Sequence, residues 1–104
     1  MGVVFVYITN PDSRTANKVA RHLLKKRLAA CAHIFPISST YWWKGRIVKE
    51  KEFVLIAKTR KELYGKMKKE VEKIHPYKIP CVAMIPVSAN EKFARWLADE
   101  TRQK

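Results

Sequence analysis

Apolar and polar positions change their period along this chain, and each change marks an element. Val3-Val4-Phe5-Val6-Tyr7-Ile8 is unbroken, β-branched and aromatic, the pattern of a strand buried on both faces. Asn10-Pro11-Asp12-Ser13 stops that strand and supplies Asp12 or Ser13 as a helix N-cap. Ala16, Val19, Ala20, Leu23, Leu24 and Leu28 then recur at helical spacing, leaving Lys18, Arg21, His22 and Lys25 outside. Residues 30–43 read as a second strand, with Pro36 marking an edge or a bend. Lys44-Gly45 predicts a tight turn, and a return strand runs from Arg46 to about Lys58. Its first half, Lys49-Glu50-Lys51-Glu52, is polar throughout, whereas Phe53-Val54-Leu55-Ile56-Ala57 is apolar throughout. One strand thus leaves the core and projects as a ribbon.

Thr59-Arg60-Lys61-Glu62 has the form of a capping box that opens a second helix. Leu63, Met67, Val71 and Ile74 form its inner stripe, with Met67 as core filler. His75 precedes Pro76, which disfavours helical geometry and ends the helix. Cys81 to Ile85 predicts a fourth strand closed by Pro86. Asn90 then caps a last helix that buries Phe93, Trp96 and Leu97 and pairs Glu91 with Arg95.

The order β-α-β-β-α-β-α predicts an α+β fold, the ferredoxin-like split βαβ with an antiparallel sheet and a C-terminal helix. Its strand order is 4-1-3-2, so strands two and four are opposite edges. Cys31 and Cys81 begin those two edge strands and could meet only across a subunit boundary, because a disulfide needs Cα atoms within about 7 Å. The ribbon formed by the long hairpin between strands two and three carries Tyr41, Trp42 and Trp43 and would be marginal alone. Association with other copies is therefore expected.

Composition narrows the classes. A chain of 104 residues, 47% hydrophobic and 30% charged, reads as one globular domain over 1–104. The apolar runs fall far short of the roughly 20 residues of a membrane helix. Val3 to Ile8 has neither the basic start nor the cleavage site of a signal peptide, so the cytoplasm is expected. Two cysteines without a C-x-x-C pair give no disulfide framework and suit small, half-buried side chains. A net charge of +13 predicts weak, non-specific attraction to anions.

Arg27-Leu28-Ala29-Ala30-Cys31-Ala32, Tyr41 with Trp43 and Gly45, Lys58-Thr59, His75-Pro76-Tyr77, Pro80 and Trp96 stand in an order and spacing that span nearly the whole chain. In this the sequence resembles the CutA family, the divalent-cation tolerance proteins. The resemblance implies a ferredoxin-like subunit whose long hairpins interlock into a homotrimer like that of the PII signalling proteins, which bind effectors between subunits. Tyr41, Trp42, Trp43 and Tyr77 are then candidates for an interface or effector cleft. It also implies tolerance to divalent metals such as copper. His75 matches a position implicated in copper binding in some relatives, while the two further positions implicated there are Ile8 and Ile74 in this chain.

Cys31, His33 and Cys81 are the other candidate donors, since thiolate and imidazole suit copper or zinc. Cys31 and His33 share a strand face and can chelate together. Beside that reading stands a plainer one, in which Cys31 is a packed small side chain and His75 closes a helix. A divalent metal is accordingly expected as an occasional, not obligatory, ligand. No glycine-rich phosphate loop follows the first strand and no nucleophile has an orienting partner, so catalysis is not expected. The alternative is a nucleic-acid module, since the RNA-recognition fold shares this element order and Phe5 and Tyr7 share a face. The chain lacks that fold's aromatic signature, and no specific nucleic acid is expected.

Overall fold

The computed structural model describes residues 2–103; Met1 and Lys104 lie outside the described residues. The elements are β1 (Val3–Asn10), α1 (Ser13–Lys25), β2 (Cys31–Trp43), β3 (Arg46–Arg60), a 3-10 turn (Lys61–Leu63), α2 (Tyr64–Ile74), β4 (Val82–Val87) and α3 (Glu91–Glu100). The four strands form one antiparallel sheet in the order β2-β3-β1-β4. This is the expected split βαβ arrangement. No helix among the described residues is long and apolar enough to cross a membrane.

One face of the sheet carries the core. Val4, Val6 and Ile8 of β1 and Leu55 and Ala57 of β3 are buried there against Val19, Ala20 and Leu23 of α1 and Met67 and Val71 of α2. Met67 is therefore core filler, as its place in the helical stripe predicts. Leu24, expected inside, is partly exposed, while Leu28 reaches the core from beyond the helix end.

That end explains the Arg27–Ala32 segment. Arg27 adopts a left-handed backbone at φ 58, and its amide bonds the Leu24 carbonyl at 3.0 Å while the Leu28 amide bonds that of Leu23 at 2.9 Å. This paired Schellman closure turns the chain sharply and drives Leu28 and Ala29 into the core. The start of α1 is equally defined: Asp12 is the N-cap, and its Oδ1 accepts from the Thr15 amide at 2.7 Å.

The other face of the sheet displays Phe5, Tyr7, Ile56, His33, Phe35 and Ile85, which share it by register. The C-terminal helix covers one end of it. Leu97 is buried, Arg60 Nε and Nη2 donate to Thr101 Oγ1 and O, both at 3.0 Å, and Lys58 Nζ lies 4.8 Å from the Phe5 ring and 5.5 Å from that of Phe93. Beyond this, β2 and β3 continue past β1 as a two-stranded ribbon closed at Lys44 and Gly45, with φ 50 and 75. Both turn residues are left-handed, as a two-residue hairpin of this hand requires. The ribbon stretches the molecule to 45 × 25 × 21 Å.

Several local expectations are overturned. Thr59 does not cap a helix: it pairs with Val4 inside β3, its hydroxyl buried without a partner among the described residues, and Arg60 takes the N-cap position without a side-chain bond there. Pairing with β1 outcompetes the capping box. Pro86 does not end β4 but lies within it opposite Val4, tolerated because β4 is an edge strand. Trp96 is exposed, because α3 turns Leu97 inward instead, and Glu91 and Arg95 form no ion pair among the described residues. The tip aromatics Tyr41, Trp42 and Trp43 face Val48, Ile47 and Arg46, and the Lys49–Glu52 run faces 37–40.

Candidate functional site

Where the ribbon leaves the sheet, buried polar side chains replace the apolar core. Asn10 continues the buried face of β1 after Ile8, and its Nδ2 donates to the carbonyls of Ile8 at 3.2 Å and Phe53 at 3.1 Å. Its Oδ1 faces Nε2 of His75 at 3.1 Å, and the Thr9 carbonyl faces the same nitrogen at 2.9 Å. His75 is held there because Pro76 ends α2, leaving His75 extended at φ −76 and ψ 137 as its C-cap. The Tyr77 amide donates to His75 Nδ1 at 3.1 Å. Since Nδ1 accepts, this network assigns the ring hydrogen to Nε2, which donates to the strand. Burial lowers the His75 pKa, so the ring is neutral, and both of its nitrogens are occupied.

Tyr77 extends the network outward. Its hydroxyl donates to Glu52 Oε2, and Glu52 is only 6% exposed. Burial, and then the Glu52 carboxylate, raise the Tyr77 hydroxyl well above the usual phenol range. Tyr41 stands one step along the ribbon near Glu50, and burial, followed by that carboxylate, raises its hydroxyl above the usual phenol range. Glu50 and Glu52 share the helix-free face of β3, so two phenol–carboxylate pairs line the base of the ribbon. The effector candidates Tyr41 and Tyr77 thus come together, whereas Trp42 and Trp43 stay at the ribbon tip, exposed.

The four metal candidates fall into two groups. Cys31 and His33 share the helix-free face of β2, opposite Lys58 and Ile56. Cys81, just before β4, and His75 lie near Glu52 and Thr9. The edges β2 and β4 are three strand spacings apart, roughly 14 Å, so the groups do not meet in one subunit, and both cysteines are free. Burial raises both thiols; Lys58 opposes this at Cys31, and Glu52 adds to it at Cys81. Both remain protonated at neutral pH, and a metal would have to displace those protons. No group of three or more His, Cys, Asp or Glu side chains converges among the described residues.

Sequence reasoning missed Asn10 and Glu52. A signal existed for both: Asn10 is the next step of the Val4-Val6-Ile8 alternation, and Glu52 is the next step outward from Ile56 and Val54 on one face of β3. The face that would serve an RNA-recognition platform is otherwise engaged, since Lys58 lies over the Phe5 ring.

The family model for the CutA1 divalent ion tolerance protein matches residues 4–100. The chain belongs to the CutA1 family. A divalent-cation tolerance protein CutA of Archaeoglobus fulgidus is 45% identical over 98 residues, covering 93% of this chain and 95% of that protein. One of Pyrococcus horikoshii is 40% identical over 102 residues, covering 97% of this chain and all of that protein (100%). Among solved structures, CutA1 from Oryza sativa superposes with a TM-score of 0.95 at 34% identity, covering 100% of this chain and 97% of that one. The periplasmic divalent cation tolerance protein CutA of Archaeoglobus fulgidus superposes with a TM-score of 0.94 at 40% identity, covering 96% of this chain and 99% of that one. The CutA1 model thus spans the ribbon as well as the sheet, and both phenol–carboxylate pairs lie within the matched segment.

Proposed function

We propose that this chain is a non-catalytic divalent-cation tolerance protein that acts as a homotrimer, its ribbons completing one another's sheets. The observation that carries the assembly is the ribbon itself: Trp42 and Ile47 face each other across the hairpin at 71% and 65% exposure, with nothing among the described residues to cover them. An aromatic–aliphatic pair of this size belongs at an interface. The half-exposed Phe35 and Ile85 extend the apolar surface over the helix-free face. In this reading Tyr41 and Tyr77, with Glu50 and Glu52, line a cleft that a neighbouring copy closes.

The metal reading rests on Cys31 and His33. Their shared strand face supplies a soft thiolate and an imidazole, two of the four positions of a tetrahedral copper or zinc site, and a neighbouring subunit or water would supply the rest. His75 is a weaker donor, because binding there would break the hydrogen bonds that hold β1 to α2. The cytoplasmic placement rests on the two free cysteines alone; one relative's name carries "periplasmic" and another's "chloroplastic".

Native mass spectrometry of the metal-free protein, titrated with Cu²⁺ and then Zn²⁺, tests both parts. The expected result is a trimer that takes up ions, with uptake lost in Cys31→Ala and His33→Ala and kept in His75→Ala. A trimer that binds neither ion above background removes the metal reading and leaves the effector cleft.

A further inference from the structure

The helical layer carries a feature that metal tolerance does not use. Arg14, Lys18, Arg21 and Lys25 of α1 stand at i, i+4, i+7 and i+11. At 100° per residue these four fall within about a 60° arc, a straight cationic row about 16 Å long. All four are exposed, and none has an ion-pair or hydrogen-bond partner among the described residues. With Asn17 and His22 they line a shallow open groove of about 500 Å³. Like charges at i,i+4 oppose the helix they sit on, and α1 has no acidic residue of its own to relieve them.

Neighbouring carboxylates are committed elsewhere. Asp12 accepts from the Thr15 amide, although it lies close enough for Arg14 to lower its pKa. Glu70 of α2 turns to His22 at 2.8 Å, Lys26 at 3.3 Å and Lys73 at 3.4 Å. The row faces away from the helix-free face of the sheet and from the ribbon base, so it remains outermost however the sheet is covered.

We infer that this row is a docking strip for inorganic polyphosphate. Two guanidinium forks alternate with two ammonium groups at steps of about 4.5–6 Å along the helix axis, so they meet roughly every second phosphate of such a chain, the forks in bidentate fashion. A protein partner would need an aromatic or apolar anchor, and the exposed apolar residue of this helix, Leu24, lies a quarter-turn away from the row. A nucleic acid would offer bases, but the one ring in the groove, His22, is tied to Glu70 at 2.8 Å, and the other groove residues are not aromatic. The Asn17 amide is also taken, donating to the Ser13 carbonyl at 2.9 Å. A bare phosphate chain offers only the charges that the strip recognises.

The test is direct binding of inorganic polyphosphate to the full-length protein across a salt series. Two quadruple variants are compared, R14Q/K18Q/R21Q/K25Q and, as a control on α2, K66Q/K68Q/K69Q/K73Q. Each has the same net charge, 13 − 4 = +9. The parent is expected to show a log–log salt slope of about −3, as four contacts to a single flexible chain give. The α1 variant should lose about tenfold or more in affinity and most of that slope, while the α2 variant changes little. Equal losses in both variants would overturn the inference, since net charge alone would then be responsible. Tighter α1-dependent binding of single- or double-stranded DNA at matched charge would overturn the choice of ligand, and no binding at low salt would overturn the strip.

Discussion

Leu55 and Trp42 lie on the same face of the same antiparallel strand pair, yet Leu55 is 0% exposed and Trp42 is 71% exposed. The backbone pairing is continuous between them, so hydrogen bonding does not make the difference. What changes is the cover. α1 and α2 reach β1 and the proximal halves of β2 and β3, and among the described residues no helix extends over the distal halves. A strand pair becomes core only where a second layer meets it, since a hairpin buries too little surface alone. The proximal half is therefore covered within its own subunit, while the distal half is left uncovered by the described residues, which is why we propose that another copy completes it.

Truncation in the two halves should fail in two different ways. Leu55→Ala opens a cavity beneath both helices and should cost about 2–5 kcal/mol, seen as a lower midpoint in denaturant unfolding of the whole protein. Trp42→Ala removes no intrasubunit core. It should weaken association by about 2 kcal/mol per site, as the loss of an interface tryptophan does. Sedimentation at falling concentration would then show dissociation while circular dichroism stays native. If Trp42→Ala unfolded the chain instead, the two halves would not be separable.

The junction between the halves is polar, and its substitutions sharpen the boundary. Tyr77→Phe leaves the buried Glu52 carboxylate without its hydroxyl donor and should cost about 1.5–3 kcal/mol, the usual range for a hydrogen bond to a charged group. Protease nicking near the ribbon base would report it. His75→Gln should cost about 1 kcal/mol, since the amide replaces only part of the ring's bonding. Burial lowers the His75 pKa from 6.5. The unfolded chain therefore takes up this proton first, stability falls as pH drops below 6.5, and it levels off once the folded form is protonated as well. The glutamine variant should flatten that limb.

The smallest effect is expected at Glu70, far from the ribbon. Its hydrogen bond from His22, followed by those from Lys26 and Lys73, holds its pKa at about 2 against an ordinary 4.5. A depressed carboxylate stabilises the fold above the ordinary value and loses that contribution as pH falls from 4.5 toward 2. Glu70→Gln should remove that portion of the acid unfolding curve and leave assembly untouched, measurable by thermal scans across this pH range.

The covered half was readable because helical and strand periods were clean there: the stripes of Val19, Leu23, Met67 and Val71 all reached the core. The projecting ribbon was readable from the switch between polar and apolar runs within β3. Competition between local and long-range signals was not readable. Thr59 carries a good capping sequence, yet its neighbours in β1 claim it for the sheet, and nothing local ranks those two outcomes. The buried side of Glu52 was hidden for a similar reason, since its cover comes from Tyr77, twenty-five positions away. The candidate site was legible as residue types but not as a network. The tautomer of His75, which commits both of its nitrogens, depends on Thr9, Asn10 and Tyr77 together.

The central claim is that the ribbon is completed by other copies of the chain. Sedimentation velocity on the untagged protein at micromolar concentration, without added metal, tests it most directly. The account predicts one boundary at three times the 12.1 kDa chain mass, shifting toward the single chain when Trp42 is replaced by alanine. A stable single-chain boundary for the unaltered protein, with native circular dichroism, would contradict it.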